Sequence, residues 1–283
     1  MANSYNKYGK KSKKQLHYPL HEKKCFIATH TISGSETNSN GNIPLNIFVP
    51  GNTSRVIFEN FTNSHNKTLL QLHVPFPVDD RRIEVTIQTR NSHIPIITTL
   101  VPGETKVFQV ENFQSLTFTN NNKKSSFITI FIKKTFCICC TNQNDYSKNQ
   151  KGTYFIETHT IAGSQTNSNG NIPLNFFIGS NTSKTAFEDF TNNHNESLIQ
   201  ISVLNLFGAI EVTIQTRNSH IPITAKLESP ETRIFQIEDF QSLTLTNNSL
   251  DDQIIDIFIQ KTFCIYCNNR NNSCDEYYCK CED

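Results

Sequence analysis

The 283-residue chain has no tryptophan, a single methionine and a formal net charge of only +1. So small a charge argues against a general nucleic-acid binder, which carries a strongly basic face. The longest apolar runs, such as 127–132, fall far short of the roughly 20 residues a membrane helix needs, so no membrane span is expected. The N-terminus has no apolar stretch of the kind that makes a secretory signal. The Gly-x-Ser-x-Gly elbow, the P-loop, His-Glu-x-x-His and the His-x-His pair of a cupin metal site are all missing. No carboxylate pair stands out, and Asp79, Asp80, Arg81 and Arg82 read as a solvated turn. The expectation is a non-enzyme without a cofactor.

What the chain does have is 21 phenylalanines, 34 asparagines and nine cysteines. The phenylalanines, with Ile, Leu and Val, supply enough apolar area for a core, which excludes a disordered solvating chain. Self-comparison then fixes the organisation. TNSNGNIPLN stands at 37–46 and again at 166–175, and VTIQTRNSHIPI at 85–96 and 212–223. The offset falls from 129 to 127 because PFPVDDRRI is two residues longer than LNLFGAI. This is a tandem duplication of a domain-sized unit. The expected layout is a basic disordered arm over 1–24, repeat 1 over 25–140, a linker over 141–153, repeat 2 over 154–267 and a Cys-rich tail over 268–283.

Within each repeat the pattern is period-two alternation, as in Ile83, Val85 and Ile87 against Glu84, Thr86 and Gln88. Breaks fall at turn residues such as Asn40-Gly41 and Pro102-Gly103. Strands are expected near 26–33, 43–49, 54–59, 68–74, 82–89, 94–101, 104–111, 113–119 and 126–138. Eight or nine short strands in about 115 residues predict an all-β fold of two tandem jelly-roll-like β-sandwiches. The asparagine excess reads as turns and wet strand faces. The sequons at Asn52, Asn60, Asn66, Asn181 and Asn195 read as chance. The repeat-equivalent histidines, His30/His159, His65/His194 and His93/His220, read as exposed or turn residues.

In the second half of each repeat a VTI strand is followed by an apolar strand, a Glu-Thr turn (Glu104-Thr105, Glu231-Thr232), a Phe-rich strand and a closing strand ending in Phe-Cys. That succession resembles the core domain of the bacterial endospore-appendage (Ena) subunits, which form pilus-like fibres on spores. The resemblance implies a jelly-roll subunit that assembles through sheet edges and is locked by intermolecular disulfides. In that family a Cys-bearing N-terminal arm reaches strands of a neighbour, and the closing-strand cysteine matches Cys137 and Cys264. Here residues 1–24 carry no cysteine, and the chain holds two domains where the family usually has one.

Cys137 and Cys139 face the same way on a strand and Cys140 the other. Neighbours at i and i+2 do not bridge comfortably, so these thiols are expected to find partners on Cys25, on the other repeat or on another chain. Cys264, Cys267, Cys274, Cys279 and Cys281 complete the cross-link candidates, and the odd total leaves at least one thiol free or intermolecular. The expected partners are copies of the chain or related spore-surface subunits, after synthesis in the mother-cell cytoplasm. Two other readings stay open. One is a zinc-stabilised interaction protein built on the tail, with its single C-x2-C. The other is a tandem carbohydrate-binding module using the loops 37–46 and 166–175.

Overall fold

The computed structural model describes residues 24–32, 45–75, 82–140, 152–161, 174–205 and 207–268. Most of the expected arm, linker and tail lies outside them, as does most of the two TNSNGNIPLN loops. Every regular element among the described residues is a strand. Repeat 1 contributes β1 (Lys24–Ile32), β2 (Asn46–Val49), β3 (Thr53–Asn60), β4 (Asn66–His73), β5 (Ile83–Thr89), β6 (Ile96–Leu100), β7 (Thr105–Glu111), β8 (Phe113–Asn120) and β9 (Ser126–Cys140). Repeat 2 contributes β10 (Gly152–Ile161), β11 (Asn175–Ile178), β12 (Thr182–Glu188), β13 (Asn195–Val203), β14 (Ala209–Thr216), β15 (Ser219–Glu228), β16 (Glu231–Glu238), β17 (Phe240–Asn247) and β18 (Gln253–Asn268).

The strand order is that of a jelly roll, twice over. In repeat 1 one sheet runs β1-β9-β4-β7, with β2 also on β9, and faces β3-β8-β5-β6. In repeat 2 the corresponding orders are β10-β18-β13-β16, with β11 on β18, and β12-β17-β14-β15. Period two is what lets each sheet bury one side. Ile83, Val85 and Ile87 on β5 are buried, and the same core takes in Leu70 and Leu72 of β4 with Ile128, Ile130 and Ile132 of β9. Each such side chain is worth about 1.5–3 kcal/mol of burial. Pro102-Gly103 makes a turn before β7, with Gly103 at φ 78°, a left-handed conformation that suits glycine.

The asparagines do more than decorate turns, which corrects the reading of them as wet residues. Asn60, Asn66, Asn120, Asn195 and Asn247 are buried. At the abrupt β7–β8 junction Asn112 sits at φ 51°; its N–H donates to the Asn66 carbonyl at 2.7 Å, and the Phe113 N–H donates to Asn66 Oδ1 at 3.0 Å. Repeat 2 copies this with Asp239 at φ 53°, Asn195 and Phe240. Asn120 Nδ2 donates to the Val49 and Lys124 carbonyls, and Asn247 Nδ2 to those of Ile178 and Asp251. A side-chain amide has a donor and an acceptor to give irregular backbone at strand ends, where the ladder stops. Three sequons, at Asn60, Asn66 and Asn195, are therefore interior staples. Replacing Asn66 by Ala strands the buried Phe113 N–H and is expected to cost about 1–3 kcal/mol of unfolding free energy in urea titrations. An unchanged midpoint would show that this N–H has another acceptor.

Candidate functional site

The two sandwiches are not beads on a string. β16 pairs with β3 in parallel, Ile234 opposite Phe58, Phe235 opposite Glu59 and Gln236 opposite Asn60. The ladder fuses β10-β18-β13-β16 and β3-β8-β5-β6 into one nine-stranded sheet, counting β11. The Phe61 N–H extends it by donating to the Gln236 carbonyl at 2.7 Å. At its centre the repeat 2 part of that sheet is covered on both faces: all nine residues of β13 are buried. One face fills the core of repeat 2, while Leu198, Ile234 and Phe258 on the other join the core of repeat 1. Ion pairs flank the ladder, Arg55 with Glu231 at 3.2 Å and Arg233 with Glu59 at 2.5 Å. Phe61 stacks on Phe235.

Under this seam lies a buried polar cluster that strand patterning did not reveal. Lys134, from β9, is fully buried and donates to Asn60 Oδ1 at 3.1 Å. Burial drives its ammonium well below the usual lysine range, opposed by the carboxylate of Glu196 from repeat 2. Glu196 is pushed upward by burial and held back by Lys134. Its Oε2 accepts from Gln236 Nε2 at 3.4 Å. In repeat 2 the equivalent Lys261 has its own carboxylate, Asp189, where repeat 1 has Asn60. Glu196 in turn stands where repeat 1 has the exposed Lys67. Repeat 2 thus pairs its buried lysine directly with a carboxylate of its own, whereas the buried lysine of repeat 1 has a neutral acceptor in contact and feels a carboxylate from across the seam. That paired difference between aligned positions was the only sequence signal for the cluster.

His30 corrects the expectation of exposed histidines. It is 0% exposed, with Nε2 3.0 Å from Thr262 Oγ1, Nδ1 at Gln236 and its ring edge-on to Phe136. Burial, far outweighing the Gln236 hydrogen bond, lowers its pKa to about 3, so it is neutral. His194 instead donates Nδ1–H to Asp239 at 2.8 Å, and that bond lifts its pKa above the ordinary value. His194, Glu238 and Asp239 could together hold a cation. Asp239, however, already accepts from His194, the Asn195 N–H and Asn218, and it closes the β16–β17 turn, so a structural ion pair accounts for it. His65, His93, His159 and His220 are exposed.

The cysteines collect at one end of the long closing strands. Cys25 and Cys139 are register partners on β1 and β9 and are joined by a disulfide. Cys140, on the opposite face, is bonded to Cys264 of repeat 2. That bond lies in a small apolar cluster with Ala28, Phe136 and Ile138, against Phe26, Tyr154 and Ile156, and ties the repeats together. With a sequence separation of 124 it restricts the unfolded chain by about 4–5 kcal/mol on the loop-entropy account. Cys137 keeps a free thiol, its Sγ 3.8 Å from that of Cys139. Cys267 lies on β18, and Cys274, Cys279 and Cys281 fall outside the described residues.

No protein-family model matches the chain, and no curated protein matches it. Among solved structures it is similar to a vicilin from Solanum melongena, with 7% identity over 81% of this chain and 77% of that one and a TM-score of 0.22. It is also similar to YhaK from Escherichia coli, with 12% identity, 81% and 92% coverage and a TM-score of 0.24. Oxalate decarboxylase from Lactobacillus farciminis gives 9% identity, 77% and 75% coverage and a TM-score of 0.24. Likeness this distant carries no argument about activity. No helix among the described residues is long and apolar enough to cross a membrane.

Breaking the seam pair from one side leaves a buried charge without its partner. Lys134→Met and Glu196→Gln are each expected to cost about 3–5 kcal/mol, and Lys134→Met/Glu196→Leu far less than their sum. Additive losses in urea unfolding would mean that the two groups do not interact. His30 gives a second test. Its folded pKa lies below its unfolded value, so the unfolded chain takes up the proton first as pH falls. Its contribution is whole above about pH 6.5 and is lost toward pH 3, by up to about 1.4 kcal/mol per unit. The stability advantage of wild type over His30→Gln should therefore shrink between pH 7 and pH 5. A gap independent of pH would show that burial leaves the ring's pKa where it stands in the unfolded chain.

Proposed function

We propose that the chain is a non-enzymatic structural subunit of the bacterial spore surface, in an appendage fibre or an exosporium or coat layer. Copies pair through their sheet edges and are then made durable by disulfides. The observation that carries this reading is the seam between the repeats, because it is heterologous: repeat 2 gives β16 and its outer face, and repeat 1 receives them on β3. Duplication means each contributing surface has a second copy. The counterpart of β16 is β7, and that of β3 is β12; among the described residues each is paired on one side only. Repeating the seam between two molecules would set Val107 against Phe187, Phe108 against Glu188 and Gln109 against Asp189.

The side chains suit the same operation. Val107, at the position of the seam residue Ile234, is 60% exposed. Phe190, the counterpart of the stacked Phe61, is 88% exposed. The flanking ion pairs keep their signs: Arg233–Glu59 becomes Lys106 with Glu188, and Arg55–Glu231 becomes Lys184 with Glu104. Backbone pairing of this kind needs only a modest apolar patch to set its register. A contact that does not close on itself produces open filaments. The resemblance to spore-appendage subunits supplies the location. The reading places synthesis in the mother-cell cytoplasm, with oxidation as the layer matures.

The test is self-association of the full chain by sedimentation and electron microscopy, with and without reductant. Concentration-dependent linear oligomers are expected, weakened at least about tenfold by Phe190→Asp or by Lys106→Glu. Adding Glu188→Lys to Lys106→Glu should restore them. A chain that stays monomeric at every concentration in both redox states overturns the reading.

A further inference from the structure

We propose that Cys25, Cys137 and Cys139, once the Cys25–Cys139 disulfide is reduced, form a three-thiolate site for a thiophilic divalent cation of the zinc class. The three sulfurs lie within 4.8 Å of one another. Cys137 and Cys139 project from one face of β9, and Cys25 projects beside them from the paired strand β1. Two sulfurs on one tetrahedral zinc, each about 2.3 Å from it, stand about 3.8 Å apart. Cys137 and Cys139 Sγ already stand 3.8 Å apart. Only the disulfide-bonded pair has to separate, and both cysteines are on strands whose register is fixed by an unbroken ladder from Lys24–Cys140 to Ile32–Ile132.

The site is partly open, with Cys25 exposed and the other two half-buried, so a cation can enter and water can take the fourth position. Repeat 2 provides an internal contrast. Its equivalents of Cys25, Cys137 and Cys139 are Tyr154, Cys264 and Tyr266, so one sulfur replaces three. The site also differs from a metal centre on the C-terminal tail, since it uses none of the cysteines beyond Cys264.

A dithiol reductant gives two electrons and two protons, the Cys25–Cys139 bond breaks, and the reductant closes its own disulfide. Each of the three thiols then passes a proton to solvent as its sulfur binds the cation, whose oxidation state does not change. A disulfide-forming oxidant reverses this, rejoining Cys25 to Cys139 and expelling the cation. The same sulfurs therefore hold metal when reduced and a cross-strand bond when oxidised, with Cys137 as the ligand that belongs only to the metal-bound state. The inference stands apart from the assembly reading, because it concerns one molecule.

The experiment titrates Co2+, then Zn2+, into the full chain reduced with a phosphine under anaerobic conditions. Sulfur-to-cobalt charge transfer and bound-metal stoichiometry are the readouts. One equivalent is expected, with affinity falling at least about 100-fold in Cys137→Ser, a residue outside both disulfides. A variant with Cys267, Cys274, Cys279 and Cys281 all changed to Ser should bind as wild type does. Diamide should release the bound Zn2+ to a chromogenic chelator. Absence of binding, full affinity in Cys137→Ser, or loss of binding in the tail variant would each overturn the assignment.

Discussion

The parallel pairing of β16 with β3 makes the two repeats of one duplication unequal. A jelly-roll sheet ordinarily buries one face and wets the other, and β4, with Leu70 and Leu72 inward and Lys67 and Gln71 outward, keeps that division. Its counterpart β13 is buried throughout, since the outer face of its sheet lies against repeat 1. Three consecutive register pairs hold the edge, but the energy comes mainly from apolar side chains such as Phe258 and Leu198 removed from water. The ladder supplies direction and register, and the packed face supplies the stability.

Putting a sheet face into a neighbour's core also buries what that face carried. Lys134 and Glu196 show how this can be accommodated. A lysine at that position needs an anion nearby, and repeat 2 answers with Asp189 from its own chain segment. Repeat 1 has Asn60 there, a neutral acceptor, and draws its carboxylate from β13 of the other repeat. Such a pair adds little to net stability, because desolvation offsets attraction. What the carboxylate supplies is an opposite charge near Lys134 that repeat 1 does not provide itself.

How much of this was legible in the sequence depended on distance along the chain. Alternation and turn residues are local signals, and they placed nine strands in repeat 1 and an all-β fold of two jelly-roll sandwiches. The side chosen by Cys140 against Cys137 and Cys139 was also local, following from period two alone. His30 was misread because nothing within its own strand buries it; Thr262 and Gln236, both from the other repeat, do so. The buried asparagines were misread for a related reason. Their composition suits turns, but Asn66 and Asn195 spend their side chains on junctions more than 40 residues away. Glu196 carries no local signal either, because what covers its face comes from the other repeat.

The two repeats differ most informatively from each other. At the internal seam the duplicated positions have drifted: Lys67 against Glu196, Asn60 against Asp189. Two flanking pairs have kept their signs on the uncovered surfaces, with Lys106 and Glu104 on β7's side and Lys184 and Glu188 on β12. Local pairing explains part of this, because Lys106 leans on Glu104 at 3.4 Å. Yet Arg233 and Glu231 occupy the same positions in repeat 2 and reach instead to Glu59 and Arg55 across the seam. Each open surface therefore keeps a positive and a negative group at the spacing the seam uses. Common descent supplies both signs at these positions, and repeat 2 shows what they do where a strand of the other repeat arrives.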